Sequence, residues 1–396
     1  MRLRPLFASV LTLLFAFSSP TAAQVRDSAG VQIATTPRSA TLQPAALALR
    51  STPAIVLGAS SADTSQEFAD VPAALVLSDS TVVVVNRATN ELRFFTWGAK
   101  FIKAAGRRGQ GPGEFTSIAA FAKLSAESLA VQDWRTSRVS VFTRSGELGR
   151  SFTLGPPPQR PRAALVGQFS DGSFLGAGSD YLTDAEPPPG LFKLTQTAFR
   201  FAASGEPIAP LQTILEREFV FVAGPSGLSR YVMPYGLLGC IRIHGDTFLT
   251  GDGSSFEIRE YRQNGTLARI VRADALGRRI TAADKAAEKE RILTSYGQKT
   301  TSPGFERFWS AVPWRENMPA FRRFEIADDG WLWVELYRGV DESPRWLLFD
   351  RDRRPRGFIT VPRRFDVRHI RHDGVLGIER TAADEERVVF FPFIRG

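Results

Sequence analysis

Gly106-Arg-Arg-Gly-Gln-Gly-Pro-Gly-Glu-Phe115 lies between two stretches that read alike. Before it, residues 73–77, 81–86, 91–96 and 101–105 are short runs rich in Val, Leu and Phe, separated by turns. After it, residues 118–124, 128–133, 138–143 and 148–154 repeat the pattern, with a Ser145-Gly146 turn before the last run. The loop recurs upstream in degraded form, as Gly58 followed by Glu67-Phe68. A glycine-rich loop that ends in Glu-Phe and feeds a new set of strands marks a repeat boundary, and self-similarity at a fixed period outranks other fold signals.

Working outward, further strand-like runs fall into comparable sets, punctuated by Asp-Gly and Asn-Gly turns. The third set is 164–169, 174–178, 192–201 and 208–213, and the fourth is 237–243, 247–251, 256–261 and 267–272. The fifth is 321–326, 331–336, 345–349 and 357–361. The sixth, 367–372, 375–379 and 387–393, stops one strand short, and residues 53–57, placed ahead of the first Gly…Glu-Phe loop, supply its missing fourth strand. Pairing the first strand with the last set removes an open edge. The expected fold is all-β: a six-bladed β-propeller over 53–396, closed by an N-terminal strand and preceded by an extension over 24–52. Segments 214–235 and 273–319 do not fit the blade period and read as insertions. In the second, Thr281 and Asp284 suit a helix N-terminus, and 285–296 reads as a short helix between blades four and five.

Arg2 and Arg4, the apolar run 6–17 and small residues at 21–23 form a secretory signal over 1–23, so the mature chain is expected to be exported, periplasmic or extracellular. No later run is long and apolar enough to span a membrane. Cys240 is the one cysteine, sits in an apolar run and reads as a small core residue. The formal net charge is +9, and its arginine excess is dense between Arg338 and Arg371. A basic surface attracts polyanions, but export makes nucleic acid an unexpected partner.

The residues Gly111-Pro-Gly-Glu-Phe115, Leu129-Ala-Val-Gln-Asp133 and Arg138-Val-Ser-Val-Phe142 closely resemble the NHL repeat. The wider pattern, including Arg26-Asp-Ser-Ala-Gly30 and Asp328-Asp-Gly330-Trp-Leu-Trp333, is similar to bacterial exported six-bladed β-propellers of the NHL/TolB-like kind. That resemblance implies a fold and no single activity.

Blade geometry places both Gly…Glu-Phe loops, both insertions and the turns between second and third strands on one face, here called the insertion face. Elaborated loops on a rigid scaffold are where binding usually resides. The candidate binding residues on it are Arg87, Arg107, Arg108, Trp134 and Arg135, with Tyr235, Trp309, Trp314 and Arg315 from the insertions, since aromatic rings and guanidinium groups suit stacking and polar recognition. Asp133 and Arg138 are read as structural, the first closing a turn and the second packing on the next blade. Trp331, Trp333 and Trp346 are read as packing between blades. No catalytic residue set and no metal-ligand set is assigned. His369 and His372, three apart on a strand, point to opposite faces.

The expectation is a monomeric, non-enzymatic propeller that binds a protein, peptide or glycan on the insertion face. The alternative is a metal-dependent, lactonase-like hydrolase or lyase with its site in the central channel, where the sequence leaves a divalent metal open. A third reading is polyanion binding by blades five and six.

Overall fold

The computed structural model describes residues 24–58, 63–78, 80–180, 187–225, 227–274, 277–295 and 301–395. The export signal read in 1–23 lies outside them. Six sheets succeed one another along the chain, and the protein is a six-bladed β-propeller. Blade one pairs Ala73–Leu77, Thr81–Asn86, Glu91–Thr96 and Phe101–Ala105, and blade two pairs Ile118–Lys123, Ser128–Asp133, Arg138–Thr143 and Leu148–Thr153. Blade five pairs Arg323–Ile326, Leu332–Glu335, Arg345–Phe349 and Pro355–Thr360.

The packing explains the sequence pattern. Thr81–Asn86 is buried at every position, so it reads as a continuous apolar run rather than an alternation. Each pair of neighbouring blades shares a hydrophobic cluster. Between blades one and two, Val83, Val85 and Phe94 meet Phe115, Leu129 and Phe142. Between blades five and six, Trp333 and Trp346 meet Val367, Val375 and Phe391, with Trp331 packed beside them. Cys240 is buried in the cluster between blades four and five.

The repeated loop has a steric cause. Gly58 and Gly106 both have positive φ, 87° and 85°. A Cβ there would fall 2.9 Å from the Phe68 ring and 2.8 Å from the Phe115 ring, respectively. The Phe therefore plugs the seam only because the Gly lets it approach. Glu114 orders the second loop by accepting from Gly111 N–H at 2.8 Å. Asp133 accepts the N–H groups of Thr116, Ser117, Arg135 and Thr136. Burial pushes its carboxyl upward, but these hydrogen bonds outweigh it and hold it below the usual range. The Arg138 guanidinium donates to Gly111 O, clamping the glycine loop.

Closure follows the expected route. In blade six, Phe365–Ile370, Gly374–Arg380 and Glu386–Arg395 take Ile55–Leu57 as a further strand, with Leu57, Val56 and Ile55 opposite Val388, Val389 and Phe390. The rest of the N-terminal segment is more ordered than its composition suggests. Val31–Thr36 adds in parallel to the outer strand Leu267–Ala273 of blade four, and Gln24–Ser28 folds back on it. Pro44 then bridges Phe358 of blade five, and Leu47–Leu49 pairs with the end of blade six. Residues 24–49 thus strap three blades from outside.

Blade three differs most from its sequence reading. Residues 214–224 are not an insertion after a short strand but the continuation of one, Pro207–Gly224, paired with Gly190–Phe201 and then with Gly227–Val232. This extension packs against the helices Ala282–Ser295 and Pro303–Ala311. Val220, Val222, Met233, Ile292, Phe305, Phe308 and Val312 form a separate core, a lid outside the ring. The first helix starts as expected, with Thr281 Oγ1 accepting from Asp284 N–H at 3.2 Å and the Asp284 carboxylate accepting from Thr281 N–H at 2.9 Å. The second helix was not anticipated, although Ser302 caps it and Pro303 begins it.

Candidate ligand site at the channel mouth

The first strands of all six blades line a central channel of about 840 Å³. Its charged groups come in layers, because alternate residues of a strand share a face. Near the insertion face, Arg323 pairs with Asp366, and Arg368 with Asp366 at 2.8 Å. Further in, Arg242 grips Glu325 with two contacts of 2.5 and 2.6 Å. At the far end Lys123 reaches across from blade two to Asp328 at 2.8 Å, and His369 Nε2 lies 2.9 Å from the same carboxylate.

His369 enters the channel through a register shift between Val367 and His369. A bulge re-aims side chains, and here it lets the consecutive residues Arg368 and His369 both line the channel. His369 Nδ1 accepts the Val76 N–H at 3.0 Å, so the Nε2 proton donates to Asp328. Burial lowers the imidazole below its ordinary value despite Asp328. Burial alone would raise the Asp328 carboxyl; the His369 and Lys123 contacts reverse this and hold it well below the usual range.

The mouth at the insertion face widens into a pocket of about 330 Å³ over blades five, six and one. Its wall holds eight arginines, Arg87, Arg322, Arg323, Arg338, Arg363, Arg364, Arg368 and Arg380, against four acids, Asp70, Glu335, Asp366 and Glu386. The acids are already engaged. Glu335 takes Arg322 at 2.8 Å and Arg323 at 2.6 Å; Glu386 takes Arg380 at 2.5 Å and the Val71 N–H at 2.8 Å. Arg87 pairs loosely with Asp70, at 3.4 Å.

Two arginines are oriented without being neutralised. Arg338 donates to the carbonyls of Glu342 and Arg363 at 2.8 and 3.2 Å, and Arg364 to that of Thr381 at 2.8 Å. Burial, with Arg322 and Arg363 beside it, holds the Arg338 guanidinium below its ordinary value, and burial with Arg323 nearby does the same for Arg368. Two buried donors of the lining, Arg368 Nε and Trp346 Nε1, have no hydrogen-bond partner among the described residues. Buried donors are rarely left unpaired, and this wall offers donors and positive charge in surplus.

Of the candidates named from sequence, only Arg87 lines this pocket. Arg107, Arg108 and Arg135 are exposed on the insertion face, Arg107 bound to Glu114 at 2.6 Å, and Trp134 lies under the Arg162 guanidinium at 5.6 Å. The insertion residues serve the lid. Tyr235 donates to Asp284 O at 3.1 Å, and burial with Glu288 and Asp284 pushes its hydroxyl up to about 12. Trp314 packs on Trp309 and under Lys285, and Arg315 pairs at 2.6 Å with the fully buried Glu218. The sequence had signalled the pocket only through its density of arginine, without saying which of them lack carboxylates.

A family described as a 6-bladed beta-propeller, DUF5128, matches residues 64–146. Among solved structures, one provisionally named an exported protein, from Bacteroides fragilis NCTC 9343, shares 13% identity, covers 91% of this chain and 99% of its own, and has a TM-score of 0.52. A member of the DUF4221 family from Bacteroides vulgatus ATCC 8482 shares 9% identity, covering 88% of this chain and 99% of its own, with a TM-score of 0.48. No curated protein matches the sequence. At these identities the likeness is one of fold. No helix among the described residues is long and apolar enough to cross a membrane.

Proposed function

We propose that the protein is an exported ligand-binding propeller that works outside the cytoplasm and recognises its ligand on the insertion face, at the arginine-lined mouth of the channel. The observation that carries this reading is the donor surplus there: eight arginines against four occupied carboxylates of the wall, with only Arg363 and Arg380 drawing on acids outside it, Asp341 and Asp384. Fields of one sign focused in a cleft raise the local concentration of oppositely charged ligands. The lid core packs beside blades three and four, and among the described residues none of that core lines this pocket.

The hydrolase reading asks the channel for several metal ligands. Its carboxylates face Arg242, Arg323, Arg368 and Lys123 instead. Among the described residues no three His, Cys, Asp or Glu side chains gather as a metal site. This donor set does not fit a catalytic divalent ion.

The test is a thermal-shift screen of the mature chain at low ionic strength, against acidic and neutral sugars, peptides and small acids. Acidic compounds are expected to raise the melting temperature, with the effect suppressed by salt. Stabilisation by neutral compounds alone would overturn the assignment and move the site towards Trp134 and its neighbours.

A further inference from the structure

We infer that the ligand of the channel mouth is compact and carries at least two oxyanion groups, held chiefly by Arg338, Arg364, Arg368 and the Trp346 indole. This deepens the binding reading above and rests on it. The geometry sets both limits on the ligand. A pocket of about 330 Å³ is at the small end of ligand sites, the size of a small organic acid or a short phosphorylated or sulfated compound rather than a length of polymer.

The charge follows from the wall. The eight guanidinium groups of the wall meet six carboxylates once Asp341 on Arg363 and Asp384 on Arg380 are counted with the four of the lining, so a singly charged ligand would leave half of the remaining surplus of two unanswered. Planar guanidinium forks match carboxylate, phosphate and sulfate oxygens pairwise. Arg338 and Arg364 are pre-aligned by carbonyls that fix direction without cancelling charge. Among the lining residues, Arg368 Nε and Trp346 Nε1 are buried donors with no acceptor among the described residues; Trp346 itself is only 1% exposed. Every one of these groups donates, so what completes them is rich in acceptors.

The experiment is isothermal titration of the mature chain at low ionic strength with citrate, inorganic phosphate, pyrophosphate and a long sulfated polysaccharide, repeated on Arg338→Ala, Arg364→Ala, Arg338→Lys and Trp346→Phe. One-to-one binding of citrate or pyrophosphate is expected, weakened about tenfold or more by each Ala variant. Arg338→Lys is expected to recover only part of it, since an ammonium lacks the fork. Citrate without pyrophosphate would identify carboxylate groups, and the reverse a phosphate-like source. Trp346→Phe is expected to weaken binding as well, and wild-type affinity in that variant would remove the indole from the site, overturning that part of the assignment. Binding of the polysaccharide alone would overturn the compact class while leaving the mouth as a binding site. Binding of none, with melting temperatures unchanged by any anion, would overturn both. Binding of citrate indifferent to the Ala variants would place the anion elsewhere and overturn the inference.

Discussion

The two ends of the channel are both charged and differ in whether the charge is answered. At the far end Lys123, Asp328 and His369 form a closed set: one carboxylate takes the Lys123 ammonium and the Nε2–H of the neutral imidazole, and the remaining ring nitrogen takes the Val76 N–H. At the mouth, guanidinium groups outnumber carboxylates and two buried N–H groups have no partner among the described residues. A satisfied cluster ties blades together; an unsatisfied one of a single sign is poised for something that is not part of the chain. The presence of ionisable residues says little about function until their partners are counted.

The comparison is sharpest where acids are removed. Glu335→Ala would leave Arg322 and Arg323 without their shared, 4%-exposed carboxylate and is expected to cost about 3 kcal/mol in chemical denaturation. It should also tighten anion binding at the mouth, and loss of binding in a folded variant would contradict the assignment. Asp328→Ala at the other end, where the carboxylate is about one-third exposed, should cost nearer 1 kcal/mol after solvent screening. It should leave anion affinity unchanged, and a changed affinity would show that the two ends are coupled.

A smaller effect concerns pH. Burial lowers the imidazoles of His369 and His244 in the folded protein. The unfolded chain therefore takes up protons first as pH falls, so stability is full above about 6.5 and declines below it. Melting curves from pH 8 to pH 5 should show this slope, and His369→Gln should reduce it without abolishing it, because His244 has the same sign. The smallest effect is expected from Arg107→Ala. Its partner Glu114 lies on the open loop, and neither melting nor anion binding should move. A fall in anion affinity would extend the site to blade two.

The sequence and the structure agree where one local rule acts alone. The Gly…Glu-Phe loops, the valine run 81–86 and the closing strand near Leu57 each follow from sterics or burial visible in a few neighbouring residues. Blade three was less legible, because Gly190–Phe201 and Pro207–Gly224 continue past the ring to meet helices encoded about eighty residues later. The site was the least legible. Arginine density pointed to blades five and six, but the residues of the mouth come together from three blades, and a one-residue bulge brings Arg368 and His369 to the same wall. Whether an arginine meets a carboxylate or a carbonyl is decided by tertiary contact. Arg315 illustrates this: chosen from sequence as a ligand contact, it meets the buried Glu218 across 97 residues.

The strand that completes blade six comes from the start of the chain, and the segment before it fastens blades four to six from outside. A chain that emerges N-terminus first therefore presents its clasp early and its catch last. Until Val388–Phe390 appear, Ile55–Leu57 has no partner in the ring, and five blades must wait as an open arc. The circle closes only once the last strand of blade six has been made. The arginine mouth, which spans the seam between the last blade and the first, comes into being only at that moment.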